Sequence, residues 1–270
     1  MSPVPSPGAL TTADREDVVW SLPEGGGSTA TVSLLVLAHA GGNAHAYAEW
    51  REALPASTRL LIGQYPGRGA RFADPLPESI EDLAVPVLES LPEDTGDLVV
   101  LGHSMGALVA FEIARRLTDQ GRPPLAFIAS ACRAPHLPNP SPVHAEVLDD
   151  DQLVAAIKAR GGTSDGILDE PELREIIIPS IRADFAIDDA YRFAGESPAL
   201  TCPITVFGGE DDPIVPAAEL PLWSTATSGT TSPVCLLPGD HFYFQRQLPR
   251  FVALVTDVVS SAVAARNASA

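Results

Sequence analysis

Short runs rich in β-branched residues and leucine, at Val32–Ala38, Arg59–Gln64, Leu98–Leu101, Leu125–Ala129, Ile204–Phe207 and Val234–Leu237, recur along the chain with helix-patterned segments between them. Strand-length runs that stay apolar without alternation belong to strands buried on both faces, and intervening helices are what covers such faces. The chain is therefore expected to be α/β, with a mostly parallel sheet and helices on both sides. The rhythm breaks once. Roughly seventy residues separate Leu125–Ala129 from Ile204–Phe207, too many for one crossover helix, so an insertion is expected over about 136–198. Asp150 to Arg160 reads as a capped helix with Leu153, Ala156, Ile157 and Arg160 at 3,4 spacing. Pro171–Ile178 and Ser180–Phe193 read as one or two more. Helices inserted at this point of an α/β scaffold commonly form a lid over a site.

The flanks differ from this core. Residues 1–28 hold Pro, Ser and Gly and end in Gly25-Gly26-Gly27-Ser28, which predicts a flexible arm, and Arg266–Ala270 reads as a frayed tail. One domain over 29–265 is expected. No internal repeat is apparent. With 45% hydrophobic and 19% charged residues, the chain has enough apolar surface to form a sizeable core. Its 17 Lys+Arg against 35 Asp+Glu give a formal charge of −18, which repels phosphate backbones and anionic lipid, so neither nucleic acid nor membrane is an expected partner. Three cysteines, Cys132, Cys202 and Cys235, are an odd number without metal-ligand spacing. No disulfide framework, metal or cofactor is expected, and the reading is of a cytoplasmic monomer.

The strongest chemical signal is Gly102-His103-Ser104-Met105-Gly106. The G-x-S-x-G pattern alone is common; here a buried-strand run, Asp97 to Leu101, leads into it, and Ala107, Leu108, Phe111, Ala114 and Leu117 mark one helix face after it. A sharp strand-to-helix turn of this kind strains the serine backbone and exposes its hydroxyl at the carboxyl edge of the sheet. A serine hydroxyl needs a base, and folds with this elbow order their triad serine, acid, histidine. His241, in Pro238-Gly239-Asp240-His241-Phe242, is the downstream histidine that follows an apolar strand. For the acid, Gly208-Gly209-Glu210-Asp211-Asp212-Pro213 follows Ile204–Phe207; Asp212, stiffened by Pro213, is preferred, with Asp211 the rival. The oxyanion requires two N–H donors. The amide of Met105 and that of Ala40, in the small-residue loop His39-Ala40-Gly41-Gly42, are assigned to it. His39 and His103 have no carboxylate or thiol at ligand spacing, and are expected to hydrogen-bond locally and brace the elbow.

Taken together, His39–Gly42, Gln64-Tyr65-Pro66-Gly67-Arg68 with Arg71, Gly102–Gly106, Ser130-Ala131-Cys132-Arg133-Ala134-Pro135, Gly209–Asp212 and Pro238–Tyr243 resemble the type II (editing) thioesterases that accompany modular polyketide and nonribosomal peptide synthases. The resemblance runs in order over nearly the whole folded chain. It implies an α/β-hydrolase fold with a helical lid, a triad of Ser104, Asp212 and His241, and an oxyanion hole of Ala40 and Met105. The implied substrates are short or aberrant acyl groups thioester-linked to the phosphopantetheine of acyl- or peptidyl-carrier proteins. Carrier proteins are typically acidic, as is this chain, so a local basic patch is expected to dock them: Arg68 and Arg71, or Arg115 and Arg116. The alternatives are a general acyl-CoA or ester hydrolase of the same fold, and a non-catalytic module that docks on a synthase.

Overall fold

The computed structural model describes residues 17–22, 30–161 and 167–269. A seven-stranded sheet runs in the order β1-β3-β2-β4-β5-β6-β7, formed by β1 Val19–Leu22, β2 Val32–Leu37, β3 Thr58–Gly63, β4 Asp97–His103, β5 Ala126–Ser130, β6 Ile204–Gly209 and β7 Cys235–Leu237. Every pairing is parallel except β1 with β3. All residues of β2, β3 and β5 are buried, which explains why their sequences show no alternation. The long helices are α1 Ile80–Glu89, α2 Met105–Asp119, α3 Asp150–Arg160, α4 Pro171–Ala190 and α5 Leu248–Ser269. Helix α2 packs on β4, β2 and β5 and against α1, while α5 lies on β2 and β5.

Both α3 and α4 lie in the chain between β5 and β6. Val143, Ala145, Leu153, Val154, Ile157, Leu168, Ile178 and Ile181 form an apolar cluster there, separate from the sheet core. Helix α3 opens with a reciprocal cap in which Asp149 and Gln152 bond each other's backbone, matching the helix read from sequence. Helix α4 is one continuous helix through Pro179, although proline removes a backbone donor from the interior. Its carboxyl-terminal half is tied down by side chains: Asp188 receives Arg133, and Asp189 receives the amides of Val143 and His144.

Two expectations about the flanks need correction. The predicted arm over 1–28 contains β1, which pairs antiparallel with β3 and places Val18 and Val19 in the core. The run Val18-Val19-Trp20 has the β-branched and aromatic content of a strand, and the Pro- and Gly-rich neighbourhood obscured it. Residues 1–16 and 23–28 of that arm lie outside the described residues. The tail after 265 is helical as far as Ser269, and Arg266 pairs with Asp97 at 2.6 Å; alanine-rich sequence carries the helix on. Among the described helices, α5 alone has the length and apolarity to cross a membrane. Here Phe251, Val252, Val255 and Val259 pack into the core, as expected of a helix covering a sheet.

Candidate active site

Ser104 stands between β4 and α2 with φ 53° and ψ −130°, a left-handed conformation costing of order 1–3 kcal/mol for a residue with a side chain. Two close backbone approaches impose this turn. A Cβ on Gly102 would lie 2.1 Å from the Gly106 carbonyl oxygen, and one on Gly106 would lie 2.2 Å from the Leu37 carbonyl oxygen. The elbow thus presses against the end of β2, and the loop that follows β2 is brought beside the serine. The Ser104 amide donates to the Ser130 carbonyl at 2.8 Å, fixing the turn to the adjacent strand.

The Oγ of Ser104 lies 2.9 Å from Nε2 of His241, and the Nδ1 of His241 lies 2.8 Å from Oδ2 of Asp212. His241 is 2% exposed and the Asp212 side chain equally so. The other Asp212 oxygen accepts the amides of Ile214 and Val215, leaving the carboxylate one fixed orientation. The two loops are themselves joined, since the amides of Glu210 and Asp211 donate to the carbonyls of Leu237 and Gly239. Asp211 is exposed, and Asp240 caps the Phe242 amide. Such a line can take a proton from the serine and hold the resulting imidazolium against a carboxylate.

Around this line stand two more histidines. His103 is buried, with Nδ1 2.8 Å from Ser130 Oγ, which in turn lies 2.5 Å from the Tyr243 hydroxyl. His39 meets the Tyr47 hydroxyl through Nδ1 at 2.9 Å and packs on Phe242 edge to face. Burial, reinforced by the neighbouring His241, pushes the His39 imidazole down to about 3 and holds His103 well below the ordinary histidine range. Both are neutral spacers at neutral pH, in keeping with a bracing role.

Ser104 and His241 open onto a cavity of about 410 Å³, within the range of small-ligand sites, roughly 300–1,000 Å³. One wall is the loop His39–Asn43 after β2; the insertion forms the opposite side with Val143, Ile157, Ile177, Ile181 and Phe185. A polar end carries Asn139, Ser141, Arg160 and Asp188. Ala40 lines the cavity. Met105 is the first residue of α2, where a backbone N–H has no intrahelical acceptor and the helix dipole favours negative charge. No group of three or more His, Cys, Asp or Glu side chains suited to a metal ion occurs among the described residues. The three cysteines are free, and burial pushes the Cys132 thiol up to about 12.

The docking assignment to Arg68 does not survive. Arg68 is 9% exposed and its guanidinium is bound through both Nη atoms to Asp184, which is fully buried. Arg71 is similarly engaged, by Asp74 and the Gln64 carbonyl, and its side chain is 13% exposed. Arg115 pairs with Glu112 and Asp119, and Arg116 lies 3.8 Å from Glu112, both at the half-buried surface of α2. Sequence reasoning missed Asp184 and Asp188 altogether, although their i, i+4 spacing puts both on one face of α4.

An elbow serine with a histidine and an acid delivered from later strand ends, on a mostly parallel sheet, defines an α/β-hydrolase. The chain belongs to the thioesterase domain family, which matches residues 33–258. It is 38% identical to thioesterase PikA5 of Streptomyces venezuelae, over 81% of this chain and 77% of that one. It is 35% identical to a Brevibacillus parabrevis protein named linear gramicidin dehydrogenase LgrE, over 86% and 89%. Among solved structures it resembles YbtT, a type II thioesterase from the yersiniabactin NRPS/PKS biosynthetic pathway, with 29% identity, a TM-score of 0.78, and coverage of 91% of this chain and 99% of that one. The protein is a thioesterase.

Proposed function

We propose that this thioesterase removes short or aberrant acyl groups from the phosphopantetheine arm of acyl- or peptidyl-carrier proteins in a polyketide or nonribosomal peptide synthase. The observation that carries the chemistry is the unbroken line from Ser104 Oγ through His241 to Asp212, opening on a cavity walled by the insertion. In the first half-reaction Ser104 Oγ attacks the thioester carbonyl and passes its proton to His241 Nε2. Asp212 stabilises the imidazolium, and the amides of Met105 and Ala40 receive the oxyanion. Collapse expels the pantetheine thiol, which takes the proton, and leaves an ester on Ser104. Water, deprotonated by His241, then attacks that ester and releases the acid and the free serine.

The carrier-bound substrate rests on the relatives: PikA5 is a thioesterase, and YbtT is a type II thioesterase of an NRPS/PKS pathway. With a charge of −18, net electrostatics repels an acidic carrier, so docking on one rests on a local basic patch. Docking falls to Arg115 and Arg116, whose side chains are the most exposed of the four arginines, at 23% and 31% against 9% for Arg68 and 13% for Arg71. The same reading places the protein in the cytoplasm, as a monomer.

One acyl group presented on carrier protein, on coenzyme A and on a simple alcohol tests the reading. Higher kcat/KM on the carrier supports it. Equal or higher turnover of the coenzyme A thioester identifies a general acyl hydrolase instead.

A further inference from the structure

The loop that bears the Ala40 amide is held from the far side of the cavity. The Gly41 N–H donates to Oδ2 of Asp184 at 2.7 Å, and Asp184 belongs to α4, in the insertion. The same carboxylate receives both Nη atoms of Arg68 at 2.7 and 2.8 Å, and Arg68 Nη1 also donates to the Gly42 carbonyl at 3.0 Å. Asp184 is 0% exposed. Gly41 has φ +76°, and Ile181, one turn before Asp184, packs directly on it.

From this geometry we propose that Asp184 is the positioning residue of the oxyanion hole, an inference that rests on the reading of Ala40 as an oxyanion donor. The Gly41 N–H shares its peptide plane with the Ala40 carbonyl. A flip of that plane would turn the carbonyl toward a buried carboxylate in place of an N–H, which electrostatics forbids at this depth. Asp184 therefore fixes the orientation of the Ala40–Gly41 peptide, and with it the path of the backbone through Ala40. Small-residue loops have many accessible conformations, and an oxyanion hole stabilises the transition state only if its donors are already aimed. Fold stability alone does not account for the pair, because apolar residues of similar volume often replace a buried ion pair without loss. The insertion is thus part of the catalytic floor as well as the roof of the cavity.

The test uses the full chain, in two variants. Asp184→Asn removes the charge; Asp184→Leu combined with Arg68→Met replaces the whole pair with apolar side chains and removes the Gly41 acceptor. Each is measured for kcat and KM on an acetyl N-acetylcysteamine thioester and for binding of a methyl trifluoromethyl ketone, whose adduct with a serine carries an oxyanion. Both variants are expected to lose roughly 10²-fold in kcat, with KM little changed and the ketone weakened in parallel with kcat/KM. If Asp184→Asn does not fold, the double variant decides. A folded double variant whose kcat stays within about threefold of wild type, or whose loss falls on KM, overturns the inference. Labelling by a fluorophosphonate separates the underlying reading. Wild type that is not labelled at Ser104 overturns the catalytic assignment itself, whereas labelled wild type with fully active Asp184 variants overturns only the role of Asp184.

Discussion

Gly106 and Leu37 meet backbone to backbone, so closely that a methyl group on Gly106 would fall 2.2 Å from the Leu37 carbonyl oxygen. The neighbour is backbone at the end of a fully buried central strand, which cannot yield as a flexible side chain can. Gly106→Ala is therefore expected to destabilise the fold by about 3 kcal/mol or more and to displace Ser104 from His241. Chemical denaturation checks the first effect. Loss of fluorophosphonate labelling in the fraction that still folds checks the second.

Asp212 and Asp211 are adjacent in sequence and opposite in situation, one buried on His241 and the other exposed. Asp212→Asn is expected to lower kcat by roughly 10³–10⁴-fold with little change in secondary structure, because the imidazolium loses its counter-charge and the tautomer is no longer enforced. Asp211→Asn is expected to stay within about threefold of wild type. Steady-state kinetics on a small thioester decides between them.

His39 and His103 give the fold a pH dependence. In the unfolded chain each titrates near 6.5; in the folded protein burial lowers both, His39 to about 3. Below pH 6.5 the unfolded state takes up protons that the folded state refuses, so stability falls as pH drops from 6.5 toward 3. Each histidine contributes up to about 1.4 kcal/mol per pH unit in that window. Urea unfolding between pH 7 and pH 5 is expected to show this slope, and His39→Gln to reduce it by one proton's worth whatever its effect on absolute stability.

Arg115 and Arg116 carry the docking proposal. Replacing both with glutamate is expected to reduce kcat/KM on an acyl-carrier protein about tenfold while leaving an N-acetylcysteamine thioester unaffected. Parallel kinetics on the two substrates is the check.

What the sequence made legible was local. The central strands show as unbroken apolar runs, and α3 shows as a capped helix over Asp150 to Arg160 with Leu153, Ala156, Ile157 and Arg160 at 3,4 spacing. The elbow is visible because strand, glycine-flanked serine and helix are contiguous. The flanks misled for compositional reasons: Val19–Leu22 sits among prolines and glycines, yet finds a partner in β3 about forty residues on. Arg68 misled for a different reason. An arginine beside glycines reads as solvated, and its partner Asp184 is 116 positions away, where no period or spacing links the two. Long-range burial of charge leaves no local trace, and the part of the site built that way becomes visible only in the fold.

The most direct measurement is intact-protein mass spectrometry of an acetyl-loaded carrier protein incubated with wild type and with Ser104→Ala, alongside acetyl-coenzyme A at equal concentration. The predicted result is loss of the acetyl group with wild type alone, faster from the carrier than from coenzyme A. Loss that persists with Ser104→Ala would contradict the account at its centre.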